Sequence, residues 1–272
     1  MRKKEEKTME CAARYPIVLV HGVGYRQRKH LNYWGRIPKE LERRGARIFY
    51  TGHDAWGAME HNGEIIRRDI QEILALTGAE KVNIIAHSNG GMESRYVIHS
   101  LGMAPYVASL TTVCTCHHGL RTIDRLLEFP AVLFRISAFF VNCFFRLLGD
   151  KKPDFQRVCR QFSTAYCAEF NRNNPDAEGV AYTSYGAKMK NGRSDLFLMV
   201  PFWVVRRYDG DNDGLVSVES SKWGVFKGVL EGEGRRGVSH EDAVDFRRHT
   251  CRFFDICSVY VNMVRDLVSA GF

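Results

Sequence analysis

Short apolar runs alternate with longer stretches of helical period along the 272 residues. Runs near 17–20, 47–50, 82–86, 110–114 and 180–185 read as strands, with a sixth near 202–208. Between them the period changes. Residues 64–77 carry Ile66, Ile70, Ile73 and Leu74 on one helical face and stop at Gly78, a residue suited to ending a helix. Residues 254–269 place Ile256, Tyr260, Val264 and Leu267 on one face in the same way. Strands alternating with helices predict an α/β fold with a mainly parallel, doubly wound sheet. Segment 121–149 departs from this rhythm. It is helical in period but apolar nearly all round, with Phe129, Phe134, Phe139, Phe140, Phe144 and Phe145. Arg135 and Arg146 interrupt it, and it is too short to span a bilayer comfortably. Such a segment suits either a lid over an apolar pocket, opening at a lipid interface, or a helix buried between cap and core.

The strand at 82–86 runs into Ala86-His87-Ser88-Asn89-Gly90-Gly91, and a helix-like segment follows. A serine between small residues at a strand–turn–helix junction has the grammar of a nucleophile elbow. Small neighbours let the strand and helix backbones approach closely. Taken alone, the stretch also fits an ordinary turn after a buried strand. The first strand, Ile17 to Val20, ends at His21-Gly22-Val23. In an elbow fold such a loop supplies one backbone N–H to an oxyanion hole, and the residue after the nucleophile supplies the other. Those donors would be Val23 and Asn89.

A serine hydroxyl needs a general base and an acid to orient it. In this fold the order is serine, acid, histidine. Asp213 lies in the turn Asp209-Gly210-Asp211-Asn212-Asp213-Gly214, just before an apolar step, with Asp209 and Asp211 as competitors. His240 follows a glycine-rich loop, whereas the competing His249 sits in a helix-like run. The aspartate spacing resembles the start of an EF-hand loop, but position 12 from Asp209 is Ser220, so that reading fails.

These residues carry a family resemblance over nearly the whole chain. It is similar to the bacterial triacylglycerol lipases of the α/β-hydrolase superfamily, the group of the Pseudomonas, Burkholderia and Proteus enzymes and their clostridial relatives. The matching stretches are 15–22, Tyr-Trp-Gly-Arg-Ile-Pro at 33–38, 81–91, 107–113, Asn-Asp-Gly-Leu-Val-Ser at 212–217 and Ser-His-Glu-Asp at 239–242. The resemblance implies Ser88 as nucleophile, Asp213 as acid and His240 as base, in agreement with the residue-level choice. It implies a single α/β-hydrolase domain over 1–272, with a helical cap or lid at about 120–175. The expected activity is hydrolysis of carboxylic esters, with lipid esters at a lipid–water interface as substrate and no cofactor required for the chemistry. One departure is Thr115-Cys116-His117-His118-Gly119-Leu120, where the family reads Thr-Pro-His-x-Gly-Ser. Secreted members hold a structural calcium ion through two aspartates; Asp242 matches one, and Asp195 lies roughly where the other falls.

Composition adds boundaries. A 45% apolar and 26% charged chain of this length suits one globular domain. A formal charge of +8 favours an anionic lipid surface or fatty-acid product, and no nucleic-acid motif accompanies it. No apolar leader follows the charged Met1–Lys7 stretch, and no transmembrane segment is expected. The expected location is the cytoplasm, or outside the cell without a recognisable signal. The eight cysteines show no disulfide framework and read as buried thiols. The donors of Cys114-x-Cys116-His117-His118 are too crowded for a zinc pair. Two alternatives remain: a non-catalytic lipid-binding or scaffold protein that keeps the hydrolase fold, and a short-chain esterase with no interfacial preference.

Overall fold

The computed structural model describes residues 9–25, 32–248 and 254–272. In chain order the elements are β1 (Ile17–Val20), α1 (Ile37–Arg43), β2 (Ile48–Tyr50), α2 (Met59–Thr77), β3 (Val82–His87), α3 (Asn89–His99) and β4 (Val107–Val113). There follow α4 (Arg121–Leu127), α5 (Ala131–Leu147), α6 (Phe155–Gln161), α7 (Thr164–Asn173), β5 (Ala181–Ala187), α8 (Met199–Asp209), β6 (Val225–Leu230) and α9 (Ile256–Ser269). All the strand pairs are parallel, in the order β2-β1-β3-β4-β5-β6. This is an α/β-hydrolase fold.

The sheet is buried on both faces, as parallel sheets require. Alternate residues of β1 and β3 serve opposite sides. Ile17, Leu19 and Ile85 pack with Trp34, Ile37 and Leu41 and with Tyr260 and Val264 of α9. Val18, Val20, Ile84 and Ala86 pack with Ile66 and Ile70 of α2 and with Val97 and Ile98 of α3. The face expected for 64–77 is the buried one, and Gly78 closes α2 in the left-handed conformation. Helix α9 buries Ile256, Tyr260, Val264 and Leu267.

One expected strand is absent. Residues 202–208 belong to α8, and the sixth strand is β6 at Val225–Leu230. Phe202-Trp203-Val204-Val205 has a strand's composition, but burial falls on Phe202 and Val205, with Trp203 and Val204 exposed between them. That spacing of three is a helix face. Pro201 fits because it lies in the first turn of α8, where backbone N–H groups lack intrahelical acceptors. The true strand was hidden by Lys227 and Gly228, which break its apolar run. At a sheet edge a lysine is tolerated and discourages pairing with another chain.

Segment 121–149 forms two helices, α4 and α5, whose axes differ by 106°. In α5 only Ala138 is fully buried. Phe134 and Phe145 turn inward, toward Phe155 and Trp56. Phe139, Phe140 and Phe144 are 64%, 65% and 56% exposed, so the helix is not a core element. Among the described residues no single helix is long and apolar enough to cross a membrane.

Candidate active site

Ser88 stands between the end of β3 and the start of α3, with φ 55° and ψ −132°. A non-glycine residue at positive φ costs on the order of 1–3 kcal/mol and persists only where the surroundings enforce it. Three hydrogen bonds do so. Ser88 N donates to Val113 O at 2.9 Å, and Ser88 O accepts from Gly91 N at 3.1 Å and from Thr115 Oγ1 at 2.8 Å. Close approach explains the small neighbours. A Cβ on Gly90 would lie 2.4 Å from His21 O, and one on Gly22 would lie 2.5 Å from Ser88 Cβ.

Asp213 and His240 meet although 27 residues separate them: His240 Nδ1 and Asp213 Oδ2 are 2.7 Å apart. The backbones are joined too, with His240 N donating to Asp213 O at 2.8 Å. Asp213 Oδ1 accepts from Leu215 N and Val216 N, which fixes the carboxylate and leaves Oδ2 for the imidazole. Both residues are buried. The competing acids are engaged elsewhere. Asp209 caps α4 through Arg121 N and Thr122 N, and Asp211 pairs with Arg206. His249 lies outside the described residues.

The His240 ring lies against that of His87, the residue preceding Ser88, with centroids 4.4 Å apart. His240 therefore covers the strand end that carries Ser88. Ser88 Oγ has no hydrogen-bond partner among the described residues.

The N–H groups of Val23 and Asn89 donate to no acceptor among the described residues. Their surroundings are firmly held. Gly22 N donates to Tyr33 Oη at 3.1 Å, and Tyr33 Oη contacts His87 Nδ1 at 2.6 Å. On the other side Asn89 Nδ2 donates to Glu93 Oε1 at 2.9 Å, and Asn62 Nδ2 donates to the same oxygen at 2.8 Å. His53 Nε2 reaches both Glu93 Oε2, at 3.4 Å, and His21 O, at 3.2 Å. One buried network thus ties the His21-Gly22-Val23 loop to the helix that begins at Asn89. Burial pushes the Glu93 carboxyl well above its ordinary pKa, opposed by the Asn62 hydrogen bond. Burial, then the neighbouring His240, hold His87 well below the usual imidazole value.

Sequence reasoning did not reach Tyr33, His53, His87 or Glu93 as parts of the site. Tyr33 and His87 lie in stretches already singled out, Glu93 stands four residues after Asn89, one helical turn on, and His53 left no local trace. Cys114, just after β4, also has a positive φ, 53°. It lies with His87 and His240 so that one donor atom from each falls within 4.8 Å. Its sequence neighbours go elsewhere: Cys116 meets Ser220, His117 meets Thr112, and His118 meets the Lys222 carbonyl. A wide cleft of about 920 Å³, lined by His118, Asp124, Tyr208 and Asp209 among others, contains none of Ser88, Asp213 and His240.

Asp195 and Asp242 are brought to the same serine. Ser239 Oγ donates to Asp195 Oδ2 at 3.0 Å, and Ser239 N donates to Asp242 Oδ2 at 3.1 Å. Each carboxylate also carries an arginine: Arg247 on Asp195 at 2.6 Å and Arg236 on Asp242 at 2.7 Å.

Comparison with known proteins fits this geometry. Residues 15–140 match the family model for the alpha/beta hydrolase fold. A triacylglycerol lipase from Pseudomonas fragi is 36% identical over 95% of this chain and 97% of its own length. The chain belongs to the bacterial triacylglycerol lipase family. It is a lipase-like hydrolase of the α/β-hydrolase superfamily. A triacylglycerol lipase from Burkholderia plantarii is 34% identical over 61% of this chain, and the match spans half the length of that relative. Among solved structures, Staphylococcus hyicus lipase superposes with a TM-score of 0.72 at 15% identity, covering 97% of this chain and 98% of its own. At that identity the likeness is one of fold alone.

Proposed function

We propose that this lipase-family chain cleaves carboxylic esters of lipids by a Ser88–His240–Asp213 relay. Ser88 Oγ attacks the ester carbonyl while His240 Nε2 takes its proton. Asp213 Oδ2 holds Nδ1 and stabilises the imidazolium. The carbonyl oxygen, now an anion, is received by the N–H groups of Val23 and Asn89. His240 then gives its proton to the departing alcohol. Water enters, is deprotonated by the same imidazole, and releases the fatty acid from Ser88. The observation that carries this reading is the 2.7 Å contact between His240 Nδ1 and a buried Asp213 beside a strained serine. Removing one fixed oxyanion donor typically costs about 10²–10³ in rate, so the tethering of both donor loops matters to catalysis.

The cap comprises α4 to α7, within 120–175, and its exposed face is α5. Phe140 and Phe144 are four residues apart and share that face. Burying a phenyl ring in lipid contributes roughly 1.5–3 kcal/mol. Phe140→Ser with Phe144→Ser should therefore lower turnover of emulsified long-chain esters by about two orders of magnitude. Soluble nitrophenyl butyrate, which needs no adsorption, should be hydrolysed nearly as before. Measuring nitrophenyl esters from short to long chain, above and below the micellar concentration, tests both statements. Equal losses on all esters with a lower Tm would make α5 a structural element. A wild-type protein that cleaves none of them would contradict the hydrolase reading.

A further inference from the structure

The family resemblance implies a calcium site at Asp242 and, across a shorter intervening segment, at Asp195, which lies roughly where the second aspartate falls. The donor set does not fit a calcium ion as it stands. Calcium takes six to eight oxygen ligands with free lone pairs. All four carboxylate oxygens already face hydrogen donors. Asp195 Oδ1 receives Arg247 Nη2 at 2.6 Å and Phe197 N at 3.1 Å, and its Oδ2 receives Ser239 Oγ at 3.0 Å. Asp242 Oδ1 receives Arg236 Nη2 at 3.2 Å, and its Oδ2 receives Arg236 Nη1 at 2.7 Å and Ser239 N at 3.1 Å. Both carboxylates are nearly inaccessible, at 0% and 5% of their side-chain surface, while the two arginines are about one-third exposed. A dication between them would meet two guanidinium groups of its own sign.

We propose that Arg236 and Arg247 take the place of the ion, holding the His240 loop with the chain's own cations, so that its geometry requires no calcium. The inference rests on His240 being the base, because the pairs flank it in sequence and structure. Ser239 precedes His240 and bridges both aspartates. Arg247 also binds Glu241, the residue after His240, at 2.9 Å. The other side of the loop is joined to the Asp195 segment by backbone bonds, Val238 N to Lys188 O at 2.8 Å and Lys190 N to Arg236 O at 3.1 Å. Arg236 and Arg247 are positioning residues: they act on the imidazole through the loop and touch no reacting atom. Guanidinium suits the task because it remains charged at any working pH and makes paired hydrogen bonds to a carboxylate.

The test begins with the wild-type protein and chelator. EDTA is expected to leave Tm unchanged, added calcium should not raise it, and terbium should show no emission sensitised by the protein. These readings need no catalysis and can be repeated on Ser88→Ala, so they separate this inference from the hydrolase reading. Arg247→Ala and Arg236→Ala should each lower kcat on a soluble ester by roughly tenfold to a hundredfold, the scale expected from a small misplacement of a catalytic group. KM should stay near its wild-type value. The double variant, with both carboxylates released, should regain activity with millimolar calcium or guanidinium ion. Arg247→Lys, which keeps a charge, should retain more activity than Arg247→Ala and guards against a variant that does not fold. A wild-type Tm that falls in EDTA and returns with calcium would overturn the proposal. So would arginine variants with wild-type Tm and kcat.

Discussion

Ser88→Ala should reduce kcat for any ester by about a millionfold while leaving Tm close to that of the wild type, the loss typical of a missing triad nucleophile. The side chain removed is one hydroxyl at a site only 6% exposed, and Ser88 Oγ makes no hydrogen bond that the fold depends on. The elbow is held instead by main-chain bonds to Val113 and Gly91 and by the Thr115 hydroxyl, all of which survive the substitution. Alanine still has to adopt φ near 55°, as serine does, so the strain is unchanged in kind. Stopped and continuous assays on pure protein check the rate, and a thermal melt checks the fold. Retention of a tenth of wild-type activity would remove Ser88 from the mechanism. It would leave the non-catalytic reading or another nucleophile to be sought.

His240→Ala should be about as damaging as Ser88→Ala, and the double variant should be no slower than either single one. Residues acting as one unit in one step are not additive: once the base is gone, the hydroxyl is no better a nucleophile than water. Asp213→Asn should fall by about four orders of magnitude, because an amide favours the wrong imidazole tautomer. Asp213 Oδ1 accepts two backbone N–H groups while Oδ2 faces Nδ1, so an asparagine keeping those bonds presents its NH₂ to the imidazole. Steady-state kinetics on nitrophenyl butyrate for the three single variants and the double variant give the comparison. Losses that multiply in the double variant would mean that the two residues act in separate steps.

The parts of this site that were legible in the sequence are those written locally. The elbow needs a buried apolar strand, a serine and small residues within a few positions, so Val82 to Met92 marked Ser88 as a candidate, and the His21-Gly22 turn separated it from an ordinary turn. The order serine, acid, histidine then selected Asp213 and His240 from a short roster, and the 2.7 Å contact joins those two. Helices α2 and α9 were legible because one face of each is consistently apolar. What was not legible depends on partners distant in the chain. Phe202 to Val205 has the composition of a strand, but Phe202 packs against Leu198 and Met189 and Val205 is buried one helical turn on. Lys227 and Gly228 hide a strand that the sheet edge accepts. The outward face of α5 has no sequence signature distinct from a buried one, since an apolar helix reads the same in either place. His53 reaches Glu93 and His21 across the fold, and Arg247 reaches Asp195 from 52 positions away. Such pairings are fixed by three-dimensional closure, and no spacing rule exposes them.

The central claim is that Ser88 is a nucleophile activated by His240, and covalent trapping tests it most directly. Wild-type protein should react with an alkyl phosphonate ester at one equivalent per chain, and mass spectrometry should place the adduct on the peptide carrying Ser88. Ser88→Ala should take up none, and His240→Ala should react orders of magnitude more slowly. An adduct on another residue, or undiminished labelling of Ser88→Ala, would contradict the account.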